Sequence, residues 1–168
     1  VQLQLLESIT DLLAEFDVDS SGNFLISEAN LNRAAELDVK LRAALDRSEY
    51  TESITSFAKE FNVQIGFNDA YFSTAFKGFE TSELGRMVVQ SAQRTAVDLL
   101  LNVSADAEFI IPIKQQVEAA IINGARFRET LDSIQLLTTG NAEQDGKILA
   151  YSKQISHDQF AVADRSYA

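Results

Sequence analysis

The sequence predicts an all-α protein, an irregular bundle of about six or seven helices with no sheet. Three observations lead there. One Pro and seven Gly in 168 residues is a helical composition. Apolar residues recur at spacings of three and four. No segment sustains the strict alternation that a half-buried strand needs.

The elements follow in chain order. Residues Gln2 to Phe16 carry Leu5, Ile9, Leu12, Leu13 and Phe16 on one helical face. A second helix is expected from Glu28 to Arg47, with Leu31, Ala34, Ala35, Leu41 and Leu45 as its stripe. Ser48 or Thr51 is placed to cap the third, which runs from about Glu52. Its apolar face is Ile54, Phe57, Ala58, Phe61 and Ile65, then Phe72, Phe76 and Phe79, with a break or kink expected at Gly66 to Asn68. Six of the eleven Phe fall between 57 and 79, which marks this stretch as the centre of the core.

Gly78 to Ser82 is punctuation, with Thr81 or Ser82 as N-cap of a fourth helix reaching Leu101. Ser104 or Asp106 opens a fifth, through Ile110, Ile113, Val117 and Ile121. Pro112 must lie in its first turn or kink it, and Asn123-Gly124 ends it. A short helix spans Phe127 to Leu137, the loop TTGNAEQDG follows, and a last amphipathic helix carries Ile148, Tyr151, Ile155, Phe160 and Val162. Two subdomains are expected, 1–80 around the Phe-rich stretch and 81–168, packed as one unit.

Composition narrows the function. The chain is 46% hydrophobic, enough for a real core, and no apolar run approaches the length of a membrane span. Its N-terminus lacks the basic region of a signal peptide. It opens on Val1 without an initiating Met, which reads as a processed product or a piece of something longer. With no Cys, disulfides and thiolate metal sites are excluded. A net charge of −11 disfavours nucleic acid and anionic membranes, since phosphate binding needs clustered Lys and Arg. The basic residues are scattered apart from Arg126 and Arg128, which are placed to pair with a partner's carboxylates.

The stretch with most chemical content is DVDSSGNFLISE, residues 17–28. A calcium loop of the EF-hand type takes oxygens from positions 1, 3, 5, 7, 9 and 12, with Gly at 6. Here Asp17, Asp19, Ser21, the Asn23 carbonyl and Glu28 fall at 1, 3, 5, 7 and 12, Gly22 at 6 and Phe24 at the apolar position 8. Against this, Leu25 at position 9 offers no oxygen side chain. Asn32 and Arg33 stand where the second helix of such a unit packs, and no second loop follows the pattern. Two readings therefore stand: an acidic helix–helix turn with Phe24 and Ile26 tucked into the core, which is preferred, and a calcium site at Asp17, Asp19, Ser21, Asn23 and Glu28.

Catalysis finds no foothold. His157 is the single histidine, and its neighbours Ser156 and Asp158 point in other directions on a helix, so no relay forms. The carboxylates Glu7, Asp11, Glu15 and Glu36 read as solvated helix faces, and no Glu-x-x-His pair for a di-iron bundle is present. No resident cofactor is expected, calcium apart.

The segments FIIPIKQQVEAAIINGARFRETLDSIQLLTTG and GKILAYSKQISHDQFAVADRSYA carry a Phe-x-x-Pro-Ile helix opening, an Asn-Gly-Ala-x-Phe turn, and a final helix with Phe160, Arg165 and Tyr167. Together with the turn at Gly22 and Asn23 and the helix start at Asn30 and Leu31, this resembles the minor head proteins of tailed bacteriophages, the head-morphogenesis group of the phage Mu protein F type. The resemblance covers most of the chain through loose helical patterns. It implies a virion structural protein, not an enzyme, present in multiple copies. Its partners would be phage portal or capsid proteins, in head assembly or genome ejection. It would reside in the virion, and in the host cytoplasm during assembly. The terminal helices, around 3–13 and 148–167, are then the expected contact faces.

Overall fold

The computed structural model describes residues 2–165 except 79, 81 and 104, and within that range the side chains other than those at 2, 61, 64, 65, 103, 148, 151, 152, 156, 160, 163 and 164. The expectations for Phe61, Ile65, Phe79, Thr81, Ser104, Ile148, Tyr151, Ser156, Phe160 and Tyr167 thus lie outside the described residues or side chains. Among the described residues the chain forms eight α-helices and no β-sheet. They are α1 (Gln2–Ala14), α2 (Glu28–Ala35), α3 (Leu37–Arg47), α4 (Tyr50–Ala75), α5 (Glu83–Asp98), α6 (Ile111–Ile122), α7 (Phe127–Thr139) and α8 (Lys147–Arg165). Two π-helical turns, Leu99–Val103 and Asp106–Ile110, lie between α5 and α6.

The helices group into two compact units, each discontinuous in sequence: Val1–Tyr50 with Ser104–Ala150, and Thr51–Val103 with Tyr151–Ala168. Residue 80, where the sequence divides into its expected subdomains, falls within the second unit.

In the first unit α1 packs on α3 and α7, α2 on α6, and α6 on α7. The expected stripe of α1 is the one buried: Leu5, Ile9, Leu13 and, beyond the helix end, Phe16. It meets a core of Leu37 and Leu41 from α3, Phe109 from the π-turn, Ile113, Val117 and Ile121 from α6, and Ile134 from α7. Lys40 of α3 reaches Glu15 at 2.7 Å, and Lys114 of α6 reaches the Ala35 carbonyl at 3.2 Å, so cations tie the rim of this core.

Where one helix was expected from Glu28 to Arg47 there are two, because Glu36 (φ −89°, ψ −3°) ends α2 and opens α3. The buried series Asn30, Ala34, Leu37, Leu41, Leu45 keeps its spacing across that residue, so periodicity gives no sign of the interruption. Leu31, expected on the stripe, is instead exposed.

Local punctuation behaves as its chemistry demands. Ser82 is extended and its hydroxyl accepts from the Gly85 N–H at 3.0 Å, starting α5. Pro112 sits in the first turn of α6, directly after the π-helical turn Asp106–Ile110. Asn123 caps the other end, and Gly124 takes φ +57°. The Ala125 N–H reaches the Ala120 carbonyl and the Gly124 N–H that of Ile121, a Schellman closure. Asp106 opens the π-helical turn that leads into α6, without a side-chain cap bond from Ala105 before it, and its carboxylate pairs with Arg42. The helix α7 runs two residues into the expected loop and stops at Gly140, whose φ of +71° and close approach to the Gln144–Gly146 backbone leave no room for a Cβ.

The second unit departs from expectation. Helix α4 runs unbroken through Gly66, since a glycine weakens a helix without removing a hydrogen bond. Nor, among its described side chains, is the aromatic stretch the centre of the core. Phe67, Tyr71 and Phe76 are 67%, 66% and 57% exposed, and Phe72 and Phe76 stack on each other at 5.9 Å along the helix. Among the described side chains the buried ones here are Ile54, then Val89, Ala92 and Ala96 of α5, Leu100 and Ile155. The side chain of Gln93 donates to the Ala58 carbonyl of α4 at 2.7 Å.

These burials set the stability map. Ile9→Ala should cost about 2–5 kcal/mol in urea unfolding, whereas Phe67→Ala should stay within about 0.5 kcal/mol of the parent.

Candidate functional site

The 17–28 loop begins where α1 runs out. Phe16 turns into the core, and its N–H still reaches the Leu13 carbonyl at 3.1 Å. The next residue is held from α2. The Asn30 side chain, fully buried, accepts the Asp17 N–H at 2.9 Å and donates to the carbonyls of Asp17 at 2.8 Å and Leu25 at 2.9 Å. One side chain thus gathers both ends of the loop against the helix that follows it. Ser27 starts that helix, its hydroxyl accepting from the Asn30 N–H at 3.2 Å.

Asp19 organises the tip. Its Oδ1 accepts the Ser21 and Asn23 N–H groups at 2.8 and 3.0 Å, and its Oδ2 accepts the Asn23 side-chain amide at 3.1 Å. The Asp19 N–H in turn donates to the Asn23 carbonyl at 2.8 Å. Hydrogen bonds from the Asn23 backbone and side chain, with smaller ones from Ser21 and Gly22, hold the Asp19 carboxyl below the usual carboxylate range despite some desolvation. Gly22 takes φ +79°, the left-handed conformation expected at the sixth position of the loop.

A turn far away in sequence completes the structure. The Phe24 N–H donates to the Ala125 carbonyl and the Phe127 N–H to the Gly22 carbonyl, both at 2.9 Å, with an antiparallel bridge between Asn23 and Arg126. Beneath the paired loops Phe24 contacts Phe16 edge-on at 5.9 Å and Phe127 at 5.4 Å. The α1–loop–α2 unit therefore has a partner, the α6–turn–α7 unit, although the turn at 123–127 carries no calcium pattern. Ile26, expected in the core beside Phe24, is 70% exposed.

The five positions read as a calcium set are distributed as follows. Asp19, Ser21 and Asn23 come together, but through bonds to one another. The Asp17 carboxylate meets the Arg33 guanidinium at 2.7 Å. Glu28 stands exposed in the first turn of α2, where a negative charge suits the helix dipole. Among the described residues no three His, Cys, Asp or Glu side chains gather as metal ligands. The residues that the pattern overlooked are Asn30, Arg33 and the Asn123–Phe127 turn. An Asn two residues into a helix was the available signal for the first.

Elsewhere, an open cleft of about 510 Å³ is bounded by Val39, Arg42, Asp106 and Ile111, with its carboxylates Asp38 and Asp106 held by Lys114 and Arg42. His157 is exposed, its Nδ1 3.4 Å from the Asp158 carboxylate. Arg126, just before α7, lies 3.8 Å from Glu129 in the first turn of that helix. In comparisons with protein-family models, curated proteins and solved structures, nothing matches this chain.

Two outcomes follow from the loop geometry. Asn30→Ala should destabilise the chain by about 1–3 kcal/mol, because the part-buried backbone groups of Asp17 and Leu25 lose their partners, while Ser21→Ala stays within about 0.5 kcal/mol; chemical denaturation measures both. The lowered Asp19 value means that its bonds are in place above the ordinary carboxylate range and are lost as pH falls through the folded-state value. The Ser21 and Asn23 amide proton resonances should therefore titrate below about pH 4, and Asp19→Asn should abolish that titration.

Proposed function

We propose that this chain is a structural protein acting through helix-mediated packing on protein partners, without catalysis, as a minor head or portal-associated component of a tailed-phage virion. The observation that carries the packing role is the face of α4. Val63, Phe67 and Tyr71 follow one another at intervals of four residues and are 50%, 67% and 66% exposed. Residues so spaced lie one above another on a helix, which is how an amphipathic helix presents anchors to a groove. Large aromatic side chains contribute most of the apolar area in such contacts, and burial is worth about 25 cal/mol per Å².

The choice of partner rests on charge and on the resemblance of the 109–168 region to phage head proteins. At −11 the chain repels polyanions, which favours protein over nucleic acid. No helix among the described residues is long and apolar enough to cross a membrane. Portal or capsid proteins, met in multiple copies, fit this chemistry.

The test is incorporation. Mass spectrometry of purified particles should find the chain with portal and capsid proteins at fixed stoichiometry. The double variant Phe67→Asp, Tyr71→Asp should keep its fold by circular dichroism and fall at least tenfold in particle content. Unchanged incorporation of that variant sinks the α4 reading; finding the chain alone in cell extract sinks the virion reading.

A further inference from the structure

We propose that the 17–28 loop is a metal-independent latch in which the Arg33 guanidinium stands in for the divalent cation of a calcium loop. A calcium ion in such a loop does two things: it neutralises the carboxylates at the loop start, and it ties that start to the helix that follows. Here both tasks fall to side chains of α2. Arg33 Nη1 lies 2.7 Å from Asp17 Oδ2 and 2.9 Å from Asn30 Oδ1, so one cation bridges the first loop position and the helix. Asn30 adds the bonds to the Asp17 and Leu25 backbone, drawing in the first and ninth positions. Leu25 has no oxygen side chain for a metal, and its carbonyl is the atom that Asn30 takes.

Two further members of the set, Asp19 and the Asn23 carbonyl, are engaged from within the loop. Asp19 accepts three N–H bonds, and the Asn23 carbonyl accepts the Asp19 N–H. The loop thus keeps two features of a calcium loop, Gly22 at positive φ and Phe24 paired to a second loop, while the Asp17 charge is balanced by a guanidinium of the chain itself. A guanidinium fixed on α2 is present at every calcium concentration. The loop pair that joins α1 and α2 to α6 and α7 is therefore set constitutively and is not a sensor.

The experiment is thermal unfolding of the full chain in calcium chloride and in EGTA, for the native sequence, Arg33→Met, and Arg33→Met with Glu28→Gln. The native midpoint should be the same in both buffers. Arg33→Met should unfold about 1–4 °C lower in EGTA, as expected for a half-exposed ion pair. Calcium at about 1–5 mM, the range of weak extracellular sites, should restore that loss, and Glu28→Gln should abolish the restoration. A saturable rise of the native midpoint with calcium overturns the proposal, because the loop then binds metal with Arg33 in place. An unchanged midpoint for Arg33→Met overturns it as well. So does a lowered midpoint that calcium leaves untouched, which makes Arg33 an ordinary surface ion pair.

Discussion

The amide of Asn30 is completely buried, and its hydrogen bonds to Asp17 and Leu25 are the polar constraint around which the first unit is built. A buried amide without partners is costly, so the loop must present backbone groups in one arrangement only. That arrangement aims Phe24 at Phe16 and Phe127 and sets the Gly22 carbonyl and Phe24 N–H against the 123–127 turn. The turn in turn joins α6 to α7, which supply half of the core that receives α1 and α3. Polar specification at one point and apolar burial below it are thus coupled through two short loops.

Much of this was legible from local chemistry. The α1 stripe, the Ser82 cap, the place of Pro112 and the Asn123-Gly124 stop are dictated within a few residues of themselves, and each stands where the sequence puts it. The break at Glu36 was hidden because the buried spacing passes through it unaltered. The weight of the aromatic stretch was misjudged for a different reason. Helical spacing marks a face as shared, and on α4 much of that face is open to solvent. The loop was legible in part: Gly22 takes the positive φ its position implies and Phe24 is buried, whereas the ion pair of Asp17 with Arg33 joins the loop to a residue outside the pattern.

The two units differ in how they use apolar residues. The first encloses Leu, Ile and Phe side chains from α1, α3, α6, α7 and a π-turn. The second buries smaller residues along α5 and leaves Phe67, Tyr71, Leu84 and Met87 at the surface. Aromatic and methionine side chains exposed on a helix are adaptable contact area, and an acidic background around them limits indiscriminate association.

The discontinuity of the first unit has a consequence for how the chain is made. Its N-terminal half, Val1–Tyr50, waits for α6 and α7, which lie beyond the whole of Thr51–Val103. At about 5–20 residues per second of synthesis, the roughly 90 residues between α3 and the end of α7 take on the order of 5–20 s. Throughout that interval Leu5, Ile9, Leu13, Leu37 and Leu41 have no core to enter. The closure of the loop pair is thus a late event of synthesis, set by the arrival of the 123–127 turn.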